Sequence, residues 1–205
     1  MSIEVKNSKK LVDYKESMKV LEERVDAVFK GEGKELLWIL EHNLTYTAGT
    51  SSNESDLLDK NTKIVKTNRG GKHTLHAPGQ KVVYFVLNLN NRRKDIRFLI
   101  NQIEKCIINI LEEYKINSFA DKKNIGIWVN NKSKIKKIAA IGIKVKKWVA
   151  YHGFSLNLSN DLSLYKKIIP CGIKTKSVTN LKELGVKDFD GIEKIIANKF
   201  LDVFL

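Results

Sequence analysis

The amino-acid sequence predicts an α/β domain of the α+β type, in which a mixed, largely antiparallel sheet is flanked by helices. Two patterns predict it. Apolar residues recur at helical spacing near the beginning, the middle and the end of the chain, and residues 125–158 form successive β-rich segments with short polar connections. The chain has 205 residues, 42% of them hydrophobic, which favours one core and a single domain over residues 1–205.

Four segments are predicted to be helices from their apolar spacing and their end signals. The first stops before Gly31, a residue type that commonly ends helices, and the second begins at Asp95, whose side chain suits a helix N-terminus. In the last helix the apolar stripe includes Ile192, Ile196 and Phe200. The predicted helices cover residues 14–29, 95–114, 178–184 and 189–204.

Short runs rich in Val, Ile and aromatic residues are predicted to be strands, and those in the second half of the chain are expected to pair in antiparallel fashion. The predicted strands cover residues 35–42, 63–67, 81–89, 126–131, 137–145 and 148–158. The polar stretch 45–61 is predicted to be a loop, and residues 161–168 to form one or two helical turns.

The chain is strongly basic, with 37 Lys and Arg against 23 Asp and Glu and a formal net charge of +14. Most of the positive charge is lysine spread along the whole chain, and the densest run that contains arginine is NRRKDIR at 91–97. Three interpretations stay open at this point: a solvated lysine surface, a docking surface for an acidic protein, and contact with nucleic acid. No recognisable nucleic-acid-binding module accompanies the charge, so the sequence predicts no nucleic-acid partner.

Composition also bounds the compartment and the chemistry. No apolar run reaches the roughly 20 residues of a membrane span, and MSIEVKNSKK lacks the apolar core of a signal peptide. The two cysteines form no Cys-x-x-Cys pair, which argues against a disulfide scaffold or a cysteine zinc site. We therefore expect a cytoplasmic protein without membrane contact and without a metal. Cys106 falls on the apolar stripe of the second helix, where a buried structural thiol is expected.

The glycine-rich segment RGGKHTLHAPGQ, residues 69–80, is the first candidate for chemistry. Glycines allow positive φ and a close approach of backbone to a ligand, and Arg69 beside them would suit a carbonyl or an anionic group. A plain connection between strands, with ordinary turn residues, explains the pattern equally well. His73 is expected on the surface, and the sequence does not decide the place of His76.

Cys171 is the second candidate. It lies between Pro170 and Gly172, so it occupies a turn with little steric cover. A free thiol is only a few per cent thiolate at pH 7, and a cation within about 4–6 Å would lower its pKa by roughly 1–3 units. A nucleophile and an ordinary turn thiol both remain open from these residues alone.

Several motifs occur in one order along residues 35–182. They read TNRGGKHTLHAPGQ, KIAAIG, YHGFSLN, IIPCGI and SVTNL. They are similar to R-G-G-x-x-T-Y-H-G-P-G-Q, K-I-A-x-x-G-[LI], F-H-G-[LF]-A-L-N, I-x-P-C-G and V-T-S-L, the signature of the octanoyltransferases of lipoate biosynthesis. The chain departs from that signature at Leu75, where the family usually has Tyr, at Ala77, where it has Gly, and at Ile173, where an aromatic residue is common.

This resemblance implies the fold of biotin and lipoate ligases and an acyltransferase that carries an octanoyl group from octanoyl-acyl carrier protein to a lysine of a lipoyl domain. It implies Cys171 as the nucleophile and Lys137, which opens KIAAIG, as its partner, with no cofactor. The implied acceptors are the lipoyl domains of 2-oxoacid dehydrogenase complexes and the glycine cleavage H protein. The implied acyl-pocket residues are Arg69, Gly70, Gly71, Lys72, His73, Thr74, Leu75, His76, Ala140, Ile141, Gly142, Gly153, Phe154 and Ser155.

Elementary acid–base chemistry is consistent with a Cys–Lys pair. The reference pKa of lysine, about 10.4, exceeds that of cysteine, about 8.5, so the lysine keeps the shared proton and each charge supports the other. Two alternatives stay open: an ATP-dependent lipoate or biotin ligase of the same fold, and a basic nucleic-acid-binding module. His152 is expected either to orient a pocket strand or to fill a core position, and His42 is given no chemical role.

Overall fold

The computed structural model describes residues 2–132, 134–169 and 177–205. Over these residues the chain forms two sheets and three α-helices. The helices are α1 (Tyr14–Lys30), α2 (Ile96–Glu112) and α3 (Ile192–Phe204). The strands are β1 (Ile3–Asn7), β2 (Glu35–Leu40), β3 (Thr45–Ala48), β4 (Ile64–Lys66), β5 (His73–His76), β6 (Gln80–Asn88), β7 (Ser118–Ala120), β8 (Ile127–Asn131), β9 (Lys134–Lys146), β10 (Val149–Asn157) and β11 (Ser177–Val178).

The larger sheet has the described strand order β1-β2-β6-β10-β9-β8-β7, and β11 pairs with β9. Its pairs are antiparallel except for β1 with β2 and β11 with β9. The smaller sheet has the order β4-β3-β5, in which β3 and β5 are antiparallel. The predicted fold class, a mixed and largely antiparallel sheet with helices against it, is confirmed.

Helices cover both faces of the larger sheet because its central strands are apolar on both sides. On one face Leu21 and Val25 of α1 pack on Trp38 and Tyr84. On the other face the larger core joins α2 and α3 to the sheet, with Phe85 and Phe200 at a ring-centroid distance of 5.7 Å. Cys106 is fully buried in this core, and burial raises the pKa of its thiol to about 12, as expected for an inert structural thiol.

Local signals explain where the helices begin and end. The Asp13 carboxylate accepts hydrogen bonds from two backbone amides at the start of α1, and Gly31 ends that helix in the left-handed conformation. Asp95 caps α2 by accepting from the Phe98 amide at 2.9 Å. No described helix is long and apolar enough to cross a lipid bilayer.

Two predicted elements are wrong. The stretch 45–61 is not all loop, because Thr45–Ala48 forms β3, whose alternation is hidden by its threonines, and Glu54–Asp56 forms a 3₁₀ helix. The predicted helix 178–184 is absent: Val178 ends β11, and a turn follows from Leu181 to Gly185. Hydrogen bonding to β9 holds this segment extended in spite of its helical spacing: the Thr179 amide donates to the Lys137 carbonyl at 2.9 Å.

Candidate active site

A cavity of about 460 Å³ lies where the smaller sheet meets the larger one. Strand β8 pairs with β9 only as far as Ala139, so the next residues of β9 keep one edge free of β8. The cavity occupies this gap, and its size is typical of a small-molecule site. Its described lining comprises Tyr14, Arg69, Gly70, Gly71, Lys72, His73, Thr74, His76, Val82, Tyr84, Ile96, Ile100, Lys123, Asn124, Ile125, Ala140, Ile141, Gly142, Ile143, His152, Gly153, Phe154 and Ser155.

The glycine-rich segment forms one wall and is held against β9 by its backbone. The Gly70 amide donates to the Ile143 carbonyl at 3.0 Å. The Arg69 side chain is buried and donates to the Thr47 hydroxyl at 2.7 Å and to the Gly70 carbonyl at 3.0 Å. Arg69 therefore shapes the wall of the cavity through contacts with its own loop and with β3.

The opposite wall contains a backbone distortion in β10. His152 has φ +69°, in the left-handed region, and the following Gly153 has φ +155°. A Cβ at Gly153 would lie 2.0 Å from the Val83 carbonyl oxygen of β6, so only glycine fits at this point. The His152 ring, 2% exposed, donates from Nε2 to Asn68 Oδ1 at 2.6 Å and so links this strand to the segment before Arg69.

Lys137 lies on β9 beside the cavity and is 5% exposed. Its ammonium donates to the Ile125 carbonyl at 2.8 Å and stands 5.3 Å from the centre of the Trp128 ring. A small void next to Lys137 shares Thr74, Ala140 and Ser155 with the large cavity. The ammonium is thus held at the edge of the space in which a ligand would bind.

Cys171 lies in residues 170–176, outside the described residues, so its predicted proximity to Lys137 stays a prediction. The chain on its N-terminal side is well anchored. The Ile169 amide donates to the Asp56 carbonyl at 2.7 Å, and the Leu58 amide donates to the Lys167 carbonyl at 2.9 Å. The Asp56 carboxylate also pairs with Lys72 of the glycine-rich segment at 3.3 Å. Asp56 therefore contacts both the residues that lead to Cys171 and the cavity wall.

Comparison with known proteins agrees with this arrangement. The family model for the lipoyl protein ligase A/B catalytic domain matches residues 13–201. The chain belongs to this family.

Two curated relatives match the family member along almost its whole length. The octanoyltransferase of Wolbachia pipientis wMel is 44% identical over 199 residues, covering 96% of this chain and 97% of that protein. The octanoyltransferase of Anaplasma phagocytophilum strain HZ is 43% identical over 207 residues, covering 100% of both. The predicted family and the predicted enzyme class, acyltransferase, are confirmed.

Among solved structures, the fold of this lipoyl protein ligase A/B family member resembles a bipartite lipoate protein ligase from Thermoplasma acidophilum. The TM-score is 0.74 at 14% sequence identity, covering 98% of this chain and 84% of that one. At this identity the likeness concerns the fold alone, and it confirms the predicted lipoate-ligase-like architecture.

Most of the pocket residues expected from the family motifs do line the cavity. The exception is Leu75, which is fully buried in a separate apolar cluster with Tyr46 and Tyr165. On β5 its neighbours Thr74 and His76 line the cavity, and alternation along the strand turns Leu75 to the other side. The expectation that His73 is a surface residue is wrong, because His73 is 5% exposed.

Sequence reasoning missed several lining residues of this family member because they lie on elements distant in the chain. These are Tyr14 at the start of α1, Ile96 and Ile100 on the first turns of α2, and residues 123–125 before β8. The available sequence signal for Ile96 was an apolar residue directly after the predicted cap Asp95, ahead of the stripe that begins at Leu99. Among the described residues, no cluster of three or more His, Cys, Asp or Glu is arranged to hold a metal ion.

Three histidines beside the cavity are buried and neutral. Burial lowers the pKa of His76 and of His152 to about 3, and burial also lowers the pKa of His42. His42 donates from Nδ1 to the Val12 carbonyl at 2.8 Å and accepts from the Tyr84 hydroxyl at 2.8 Å. None of these rings carries a second proton near pH 7, so none of them can act as a general acid there.

We expect the protein to lose stability as pH falls from about 6.5 towards 3. Above the pKa of unfolded histidine, near 6.5, these rings are neutral in the folded and in the unfolded chain. Below pH 6.5 the rings bind protons in the unfolded chain, whereas folded His76 and His152 stay neutral until about pH 3. Each such ring steepens the fall by about 1.4 kcal/mol per pH unit. Urea unfolding of wild type and His152→Gln between pH 7 and 4.5 checks this, and equal slopes for the two proteins would contradict it.

Proposed function

We propose that this protein transfers an octanoyl group from octanoyl-acyl carrier protein to a specific lysine of a lipoyl domain, through a thioester on Cys171. The observation that carries the proposal is the place of Lys137, a buried ammonium at the rim of a mainly apolar cavity whose walls are the family's motif segments. The acceptors are lipoyl domains of 2-oxoacid dehydrogenase complexes and the glycine cleavage H protein.

In the first half-reaction the Cys171 thiolate attacks the thioester carbonyl of the donor. The new carbon–sulfur bond forms as the carrier's thiolate leaves, and Lys137 gives that thiolate its proton. The products are octanoyl-Cys171, free carrier protein and a neutral Lys137. Because one thioester replaces another, this step needs no energy source.

In the second half-reaction the amine of the acceptor lysine attacks octanoyl-Cys171. Neutral Lys137 takes a proton from the attacking nitrogen, and the Cys171 thiolate leaves as the amide forms. The Cys–Lys ion pair is restored. Since an amide is more stable than a thioester, the second step is downhill and ATP is not consumed.

The apolar lining of the cavity favours an acyl chain as the group that is bound. Its described lining includes Val82, Ile96, Ile100, Ile141 and Phe154. Burying methylene groups of an octanoyl tail contributes about 0.8 kcal/mol each, up to roughly 5 kcal/mol, which favours binding but separates neighbouring chain lengths only weakly.

The net charge of +14 supports acidic protein partners. Complementary charge accelerates encounter between proteins more than it adds affinity. Lys123 lines the cavity and places positive charge at the site itself. Transfer is thus expected to slow as salt is raised. We place the reaction in the cytoplasm.

Intact-mass measurement after mixing the protein with octanoyl-acyl carrier protein tests the proposal. Without an acceptor, we expect one octanoyl group on Cys171, located by peptide mapping and released by hydroxylamine. The Cys171→Ala variant is expected to show neither adduct nor transfer, whereas Cys106→Ala should keep both, since Cys106 is fully buried. Transfer that survives Cys171→Ala would reject the thioester and favour an ATP-dependent ligase.

A further inference from the structure

The Lys137 side chain is enclosed by a short segment that includes Gly126. Its ammonium donates to the carbonyl of Ile125 at 2.8 Å, and the Trp128 ring lies on the far side of Gly126 in sequence, 5.3 Å from the nitrogen. Lysine has a long, flexible side chain that normally keeps its charge in water. Here it is 5% exposed, so neighbouring groups must define its conformation.

Gly126 supplies the space that this conformation needs. Its φ is +131°, a conformation that residues with a Cβ rarely adopt. A Cβ at this position would lie 2.3 Å from Lys137 Cε and 2.9 Å from Nζ. Both distances are far below van der Waals contact, so any side chain at 126 would occupy the volume of the lysine.

The segment that carries Gly126 is itself fixed. The Asp121 carboxylate accepts from the Lys123 amide at 2.9 Å and from the Asn124 side chain at 2.7 Å. The Asn124 carbonyl accepts from the Trp128 indole at 2.9 Å. These bonds hold residues 121–126 as a compact loop, so the carbonyl offered to Lys137 has a defined position.

The pairing of β8 with β9 brings Lys137 to this loop. Ile127 lies opposite Ala139 while Trp128 lies opposite Lys137, so Ile138 is an additional residue on β9. Bulges of this kind redirect side chains and are frequent beside active sites. The register break therefore coincides with the point where Lys137 meets Gly126.

We infer that Gly126 is a positioning residue for Lys137: its missing side chain forms the slot that holds the ammonium at the rim of the cavity. Gly126 acts on the reaction only through Lys137. The slot is a property of the described residues, whereas its consequence for acyl transfer rests on the proposed function.

The first test is Gly126→Ala, with Gly185→Ala as matched control. Gly185 also has positive φ, +95°, but nothing lies within 4 Å of its added Cβ, so the control carries the backbone strain without the collision. Reductive methylation with peptide mapping measures the access of Lys137. We expect several-fold faster labelling of Lys137 in Gly126→Ala and the wild-type rate in Gly185→Ala.

The second readout is chemical. On the proposed function, Lys137 lowers the pKa of the Cys171 thiol. Alkylation of Cys171 at pH 7 should then slow about tenfold or more in Gly126→Ala, and the rates should converge near pH 10, where the thiol ionises without help from a cation. In transfer assays kcat should fall while KM for the donor stays close to wild type. An unfolded chain would also separate the thiol from Lys137 and expose both groups, so each variant must show the circular dichroism spectrum and the cooperative unfolding of the wild type before its rates are compared.

The Cβ added in Gly126→Ala would also stand 2.7 Å from the Ala139 carbonyl oxygen, a backbone atom, so this variant can fail to fold. Asp121→Ala provides a second variant for that case. Asp121→Ala removes the carboxylate that holds residues 121–126 together and adds no atoms, so faster labelling of Lys137 is again expected. Unchanged labelling in a folded variant would overturn the slot. Normal transfer in Gly126→Ala, with transfer lost in Lys137→Met, would overturn the positioning role and leave the proposed function standing. Normal transfer in both variants would reject both.

Discussion

The variant Lys137→Met is expected to lose transfer activity by at least about 100-fold at pH 7, since general acid–base catalysis contributes roughly 10²–10⁴-fold. Methionine fills the buried space beside Trp128 but can neither stabilise a thiolate nor carry a proton. We expect Cys171 alkylation to slow at neutral pH as well, because both effects come from the same ammonium. Steady-state transfer and iodoacetamide labelling of Cys171 measure the two.

The neighbouring Lys136 offers a matched control for this variant. Lys136 is on the same strand but pairs with Glu183 at 3.1 Å on the other side of β9. Lys136→Met should therefore keep transfer within about twofold of wild type, because this partly exposed ion pair lies away from the cavity lining. Equal losses in the two variants would mean that lysine charge on β9 in general, and not Lys137, supports the reaction.

The variant Gly153→Ala is expected to have the largest effect on stability. The added methyl would lie 2.0 Å from the Val83 carbonyl oxygen and 3.1 Å from its carbon, both backbone atoms of the adjacent strand. The central pair β6–β10 must separate to relieve this contact, which we expect to cost about 3 kcal/mol or more, in the upper range for single substitutions. Denaturant unfolding by circular dichroism measures the loss.

Gly31→Ala is the matched control for Gly153→Ala. Gly31 also has positive φ, +78°, at the end of α1, and its added Cβ meets nothing within 4 Å. Its cost is limited to the left-handed backbone, about 1–2 kcal/mol. A Gly153→Ala protein as stable as Gly31→Ala would show that the strands can yield at this point and that conformational strain alone sets the cost.

Local sequence patterns were sufficient to predict most of the helices and strands. α1 and α2 have strong apolar stripes and side-chain caps at Asp13 and Asp95, so their boundaries follow from the chain itself. The misassigned segment 178–184 has helical spacing as well, but Ser177–Val178 pairs with β9, a partner about 40 residues upstream. Long-range strand pairing overrides the local helical preference there, and this pairing cannot be read from the residues of the segment itself.

The sequence by itself determined the family, the helical and strand framework and the motif residues, because these depend on residue type and order. The motif also indicated Lys137 rather than a histidine as the partner of the thiol. Only the tertiary structure decided that His73 is buried, that Leu75 faces away from the cavity, and that Tyr14 and Ile96 complete its walls. It alone gave Gly126 a role, since the distance from Gly126 to the Lys137 side chain is set by the pairing of β8 with β9. Strand alternation and sheet pairing bring together residues that the linear order keeps apart.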